Sequence, residues 1–229
     1  MRGREVRARR RSFRVKTLGF GLGNALLFVT AAAATLPPVV NESISESEKS
    51  WRATTKPSEG LTVGRLKIQF EKTTLPDVLS AIKLGSIQHQ GDAGDSVSWL
   101  CYTALTHGYN ARIWIESSDE MGGPEEAVTD VAIQKITDGR SPADCPILPK
   151  QYEPLSFNNG VWLGTPNGTV KNVFPSGLLR SGQLAFIGYQ GKVADDGHCD
   201  GGYDLLNSLY LTFKAGLVIA MDAGQVTSC

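Results

Sequence analysis

Along the chain the apolar positions change period several times, and each change marks an element. Thr73 to Lys83 (TTLPDVLSAIK) places Val78, Leu79 and Ile82 at helical spacing behind a threonine cap, with Pro76 near the first turn. That pattern predicts a short amphipathic helix. A Gly- and Asp-rich turn, Gly91 to Asp95, leads into a strand over Val97 to Ala104 that holds Trp99, Leu100, Cys101 and Tyr102. Ala111 to Glu116 then alternates around Ile113 and Ile115. After the loop Met121 to Pro124, Val128 to Ile136 alternates again at Val131 and Ile133. A leading strand is expected at Leu66 to Phe70.

The same order recurs downstream. Trp162-Leu163-Gly164-Thr165-Pro166 opens a short helical segment through Val170, Val173 and Phe174. Leu184 to Val193 is a strand whose Phe186-x-x-Tyr189 matches Trp99-x-x-Tyr102. Ser208 to Lys214 alternates around Leu209, Leu211 and Phe213, Ala215-Gly216 makes a tight turn, and Leu217 to Val226 returns as the last strand. Two halves with one plan, 61–150 and 151–229, give an α+β fold: two repeats, each with short helices packed on one face of an antiparallel sheet, the other face left to solvent. A coincidence of spacing is the competing explanation.

The chain carries four cysteines, Cys101, Cys145, Cys199 and Cys229. No two lie close enough for a C-x-x-C metal motif, and an even count reads as two disulfides in an oxidising compartment. Three pairings are possible. Each half has one cysteine at or after its first long strand and one past its last, so Cys101–Cys145 and Cys199–Cys229 is the simplest arrangement.

An oxidising compartment agrees with the beginning of the chain. Residues 1–16 hold eight basic side chains against one acid, Glu5. A small-residue apolar stretch, Leu18 to Ala34, ends on four alanines before Pro37-Pro38. Residues 1–36 therefore read as a signal peptide, either of the ordinary secretory kind or, through Arg10-Arg11-Ser12-Phe13, of the twin-arginine kind. An uncleaved anchor is the alternative, since the stretch is nearly long enough to span a bilayer. Residues 37–60, rich in Ser and Glu without periodicity, read as a flexible tether. The formal net charge of the whole chain is zero. Most of the excess base sits in the signal, so the remainder is acidic and nucleic acid is an unsuitable partner. The expected location is periplasmic or secreted, without a stable membrane span once the signal is removed.

These residues resemble a known plan. A threonine-capped helix, a Gly-rich turn, an aromatic-x-x-Tyr strand and a hairpin such as Leu211-Thr212-Phe213-Lys214-Ala215-Gly216-Leu217-Val218 resemble the BamE (SmpA/OmlA)-like domain. Two copies in tandem, each with a disulfide, resemble the β-lactamase inhibitory protein family. The resemblance covers about residues 62–229 and is closer in the second half. In the first, the loop Ser117 to Ala127 is longer and more acidic than the family's tight turn. The chain as a whole also resembles a group of exported bacterial proteins, which implies no activity. The family plan implies a helical hairpin on an antiparallel sheet in each repeat, and binding of partner proteins by the open sheet face. Strand phase then sends Ile113 and Ile115 to the helices and Arg112, Trp114 and Glu116 to the open face, with Tyr210 exposed likewise. Trp114 and Tyr210 are the expected anchors of a protein interface. Packing on a linker or between repeats is the alternative for both. Tyr102 and Tyr189 are expected in the core.

Enzymatic chemistry has little to build on. His89, His107 and His198 fall in three different loops without metal-ligand spacing. Asp195 to Asp200 lacks the spacing of a calcium loop and reads as a solvated turn. Gly94-Asp95-Ser96 and Asp195-x-x-His198 resemble blocks of the GDSL ester hydrolases. That alternative would make Ser96 the nucleophile and His198 its base. Yet Ser96 precedes a strand rather than opening a helix, and no oxyanion blocks are evident. The expectation is a non-enzymatic protein-binding module without cofactor or metal, or failing that a structural envelope component.

Overall fold

The computed structural model describes residues 35–38, 53–92, 96–118, 125–137, 141–176, 178–181, 183–194 and 202–229. The predicted signal, save Thr35 and Leu36, and most of the predicted tether lie outside these, as do Gly94, Asp95, His198 and Cys199. The strands in chain order are β1 (Gly60–Val63), β2 (Leu66–Gln69), β3 (Gln88–Gln90), β4 (Val97–Thr106), β5 (Tyr109–Ser118) and β6 (Asp130–Lys135). They continue with β7 (Leu155–Phe157), β8 (Leu178–Ser181), β9 (Leu184–Val193), β10 (Tyr203–Lys214) and β11 (Leu217–Ser228). Two α-helices are described, α1 (Leu75–Ile82) and α2 (Asn167–Val173). The fold is mostly antiparallel sheet with helices, which agrees with the α+β class. Each half contributes one described helix, where the family plan implied a helical hairpin.

Local chemistry explains where elements begin and turn. Thr74 caps α1: its hydroxyl accepts the Asp77 N–H, and the Asp77 carboxylate accepts the Thr74 N–H, each at 3.2 Å. This reciprocal capping box satisfies two otherwise orphaned amides. Leu75, Val78 and Ile82 then form the buried stripe. β4 and β5 are joined by His107-Gly108, both at positive φ (51° and 78°), and β10 and β11 by Ala215-Gly216 (51° and 76°). Two consecutive left-handed residues twist with the flanking strands and close a two-residue hairpin.

Eight strands form one sheet in the order β3-β4-β5-β6-β11-β10-β9-β8. The halves therefore meet in the middle, where β6 pairs antiparallel with β11 from Ala220↔Gln134 to Gly224↔Asp130. Residues 61–150 and 151–229 are not separate globules but share this sheet. One of its faces carries the main core. Leu100, Tyr102, Ile113, Ile115, Val131, Ile133, Ile187, Leu209, Leu211 and Met221 pack there against Val78 and Ile82 of α1 and Val170 of α2. The small sheet β2-β1-β7 adds Leu61, Val63, Ile68 and Leu155. Strand alternation thus places Ile113, Ile115 and Tyr102 as the sequence predicts. Tyr189, only partly buried, packs at the margin of the same core.

A buried polar seam ties the chain's early segments to the last hairpin. Asn207, 1% exposed, mimics a strand edge: its amide accepts the Ser58 N–H at 3.2 Å and donates to Ser58 O at 2.6 Å. Gln225 Nε2 and Thr227 Oγ1 both donate to Glu71 Oε2, at 2.6 and 2.7 Å. Ala53 is buried and its N–H reaches Gly188 O at 2.6 Å. Residues 53–60, assigned to the tether by composition, are therefore anchored. Backbone groups of Ala53 and Ser58 make these contacts, which hydropathy does not report.

The other face was expected to stay open throughout, and over the first half it is closed. Cys101 and Cys145 form a disulfide with Cα atoms 4.6 Å apart. Thr103 holds the incoming segment, accepting from Leu148 N–H at 2.8 Å and donating its own N–H to Pro146 O at 2.9 Å. Trp99, Cys101, Trp114, Ala132 and Cys145 make a second, smaller core under this cover. Thr35, which a cut directly after Ala34 leaves on the chain, completes it, accepting from Trp114 Nε1 at 3.0 Å and donating its hydroxyl to Asp144 Oδ1 at 2.9 Å. The formed disulfide belongs to an oxidising environment outside the cytoplasm. Among the described residues no helix is long and apolar enough to cross a membrane. Cys229 ends the chain, exposed, just beyond β11.

A variant with Cys101→Ser and Cys145→Ser is expected to lose about 3–4 kcal/mol of stability, the chain-entropy value for a loop of this length. Urea unfolding followed by tryptophan fluorescence checks this, because Trp99 and Trp114 flank the bridge.

Candidate functional site

Over the second half the same face is uncovered, and the register of four strands builds a groove there. The side chains opposite one another run Gly188 on β9, Ser208 on β10, Gly224 on β11 and Asp130 on β6. The first three are the smallest available, so this row lies low. The flanking rows are tall. Phe186, Tyr210 and Asp222 stand on one side, and Gln190, Leu206 and Val226 on the other. The result is a cleft of about 440 Å³ running across the strands, lined by Phe186, Leu206, Ser208, Tyr210, Val226 and Asp130 among others. Phe186 and Tyr210 lean on each other with ring centroids 4.8 Å apart. Leu206 projects from the rim, 47% exposed.

Gly224 is small for a specific reason. A Cβ there would collide with the Asp130 carboxylate, which lies over it. Asp130 thus closes one end of the floor, and two more acids stand beside it. Glu116 is its direct cross-strand neighbour, and Asp222 lies one row away on β11. Burial pushes the Glu116 carboxyl well above its usual range, and the charges of Asp222 and Asp130 add to this. Burial also raises Asp130, opposed by a hydrogen bond from the Thr129 side chain. Asp222 is pushed up to about 7, by burial first and then by Asp130. Among the described residues none of the three makes a salt bridge. Among the described residues Glu116 Oε1 is sealed from solvent and lacks a hydrogen-bond partner.

The sequence-predicted binding residues divide accordingly. Tyr210 is in the groove wall, half-buried. Trp114 lies on the predicted face and in the same cross-strand row, through Ala132, Asp222 and Tyr210. It is only 2% exposed, however, and as an interface anchor it is corrected: the disulfide segment and Thr35 bury its ring and satisfy its indole. Arg112 packs over that ring at 6.0 Å and belongs to the covered half. Glu116 is half-buried, behind Asp130. Strand phase found all four side chains, but not the cover that removes Trp114 from solvent. Phe186, Leu206, Asp130 and Asp222 were not singled out. Their only signal was the run of small residues, Gly188, Ser208 and Gly224, on the outward phase of three strands.

Ser96 lies elsewhere, at the start of β4, and is 4% exposed. Its hydroxyl lies 3.3 Å from His89 Nε2, while His89 Nδ1 lies 3.1 Å from Ser98 Oγ, so the imidazole bridges two serines. Where a hydrolase has a carboxylate to orient its base, this histidine has a hydroxyl. His107 is spent otherwise, on Leu155 O at 2.8 Å and the Trp162 ring. The described His, Cys, Asp and Glu residues form no group of three or more that could hold a metal ion.

No protein-family model, no curated protein and no solved structure matches the chain.

Raised carboxyl pKa values favour the folded state while the groups are protonated, and this contribution is lost as pH rises through the folded values. The protein is therefore expected to lose stability between about pH 4 and 8 through these groups. Asp222→Asn should be more stable than the parent by about 1–3 kcal/mol at pH 8, the gap narrowing below pH 7 and closing near pH 4. Chemical denaturation at several pH values measures it; a gap that is the same at all pH values contradicts the assignment.

Proposed function

We propose that the chain is an exported, non-enzymatic module that binds another protein through the open part of its large sheet, in the periplasm or outside the cell. The carrying observation is the asymmetry of the second face: a disulfide cover closes it over β4 to β6, and an aromatic-walled groove remains over β9 to β11. A cleft with apolar walls and a few polar groups is the general form of a recognition site. The paired Phe186 and Tyr210 rings are the large, ordered surface from which interface hot spots are made.

The same reading takes the two halves as tandem repeats of BamE- and β-lactamase inhibitory protein-like plan. Support comes from element order. Each half runs helix, short edge strand, two long strands and a final strand, and the final strands β6 and β11 pair with each other. The repeats have diverged in use, with the first stapled shut and the second left to bind.

The test is a photo-reactive amino acid at Leu206, with one at the exposed Lys67 as control, in cells that export the chain. A discrete adduct from position 206 only, abolished by Ser208→Trp filling the groove floor, is the expected result. Tyr210→Ala should weaken the isolated complex by about 2 kcal/mol or more. Absence of any adduct specific to position 206 would sink the proposal.

A further inference from the structure

The groove joins an apolar channel to an acidic end, and that combination selects the chemistry of what enters it. Its floor spans four strands, roughly 14 Å at the usual interstrand spacing. The walls are Phe186 and Tyr210 on one side and Leu206 and Val226 on the other, with Asp130 at the far end and Asp222 one row beyond the lining, opposite Tyr210. Resting on the protein-binding reading above, we infer that the groove receives an arginine side chain of the partner protein. Its aliphatic stem would lie over Gly188, Ser208 and Gly224, and its guanidinium would meet Asp130 and Asp222.

Two features converge on this occupant. Three carboxyls share one corner without a salt bridge among the described residues, an arrangement that one cation would relieve. The approach to that corner is apolar and aromatic, which suits a side chain with a methylene stem and a planar, weakly hydrated head. A metal ion is the poorer candidate, since the described acids form no group able to hold one. The titratable groups facing the corner are Glu116 on β5, Asp130 on β6, Asp222 on β11 and Tyr210 on β10. On β9 the nearest charge, Lys192, is held by Asp204 at 3.0 Å.

The experiment uses the disulfide-bonded protein and four short peptides, acetylated and amidated, with a central arginine, lysine, citrulline or glutamate between valines. Binding is read by NMR shifts of the groove amides. The arginine peptide is expected to bind at least about tenfold more tightly than the citrulline one, as a charge-assisted bidentate contact requires. The preference should vanish in Asp130→Asn/Asp222→Asn, a variant that keeps the fold because it removes like charges. Calorimetry near pH 7 in two buffers of different ionisation enthalpy should show protons released on binding. Equal affinity for arginine and citrulline, or binding unaffected by the double variant, overturns the inference. The photo-adduct at position 206 separates the two levels. If it persists in the double variant, the protein-binding reading stands and the arginine assignment falls. If it proves to join two copies of this chain, or never forms, both fall.

Discussion

The pairing of β6 with β11 is the constraint on which everything else depends. Each is the last strand of its half, and five consecutive residue pairs lock them antiparallel, from Ala220↔Gln134 to Gly224↔Asp130. Because side chains alternate strictly across a sheet, this one register aligns the outward rows of both halves into continuous lines. Trp114, Ala132, Asp222, Tyr210 and Phe186 fall in one row, and Glu116, Asp130, Gly224, Ser208 and Gly188 in the next. A slip by a single residue would turn Asp130 into the main core and fill the groove floor. The acids meet, and the groove has a floor, only because the two last strands agree.

The same sheet shows how differently two faces of one structure can be finished. The inner face is completed by helices and a small sheet, all apolar. The outer face is completed over half its width by a short extended segment that has little apolar mass of its own. There the disulfide and the Thr35 contacts with Trp114 and Asp144 substitute for burial. A covalent bridge suits such a thin cover, because loop closure is stabilising even when few atoms are packed.

Elements governed by local period were legible in the sequence. Leu184–Val193 matches the predicted strand, Val128–Ile136 shortens to Asp130–Lys135, and α1 sits within Thr73–Lys83 behind a threonine cap. Strands β1, β3, β7 and β8 were missed. They are three or four residues long, so no period can establish itself; β3 and β8 persist by pairing with the long β4 and β9, and β1 and β7 by pairing within the small sheet. The phase of β5 and β10 gave the correct face for Trp114 and Tyr210. What separated those two residues was cover supplied by Thr35 and Cys145, far away in the chain, and no local pattern encodes such a contact. The acidic corner was hidden for a related reason: Glu116, Asp130 and Asp222 are ordinary surface acids until the register is known.

The seam at Asn207 carries a consequence for the order of events in the life of the chain. Ser58 and Glu71 are among the first residues of the described body to leave the ribosome, yet their hydrogen-bond partners, Asn207 and Gln225, are among the last. Domains generally acquire structure as units while synthesis proceeds, and contacts between distant positions are slow to form. Here Ser58 and Glu71 lack these hydrogen-bond partners until the carboxy-terminal hairpin has been made. The polar seam therefore closes late, after its first residues have waited for nearly the whole described body to be made.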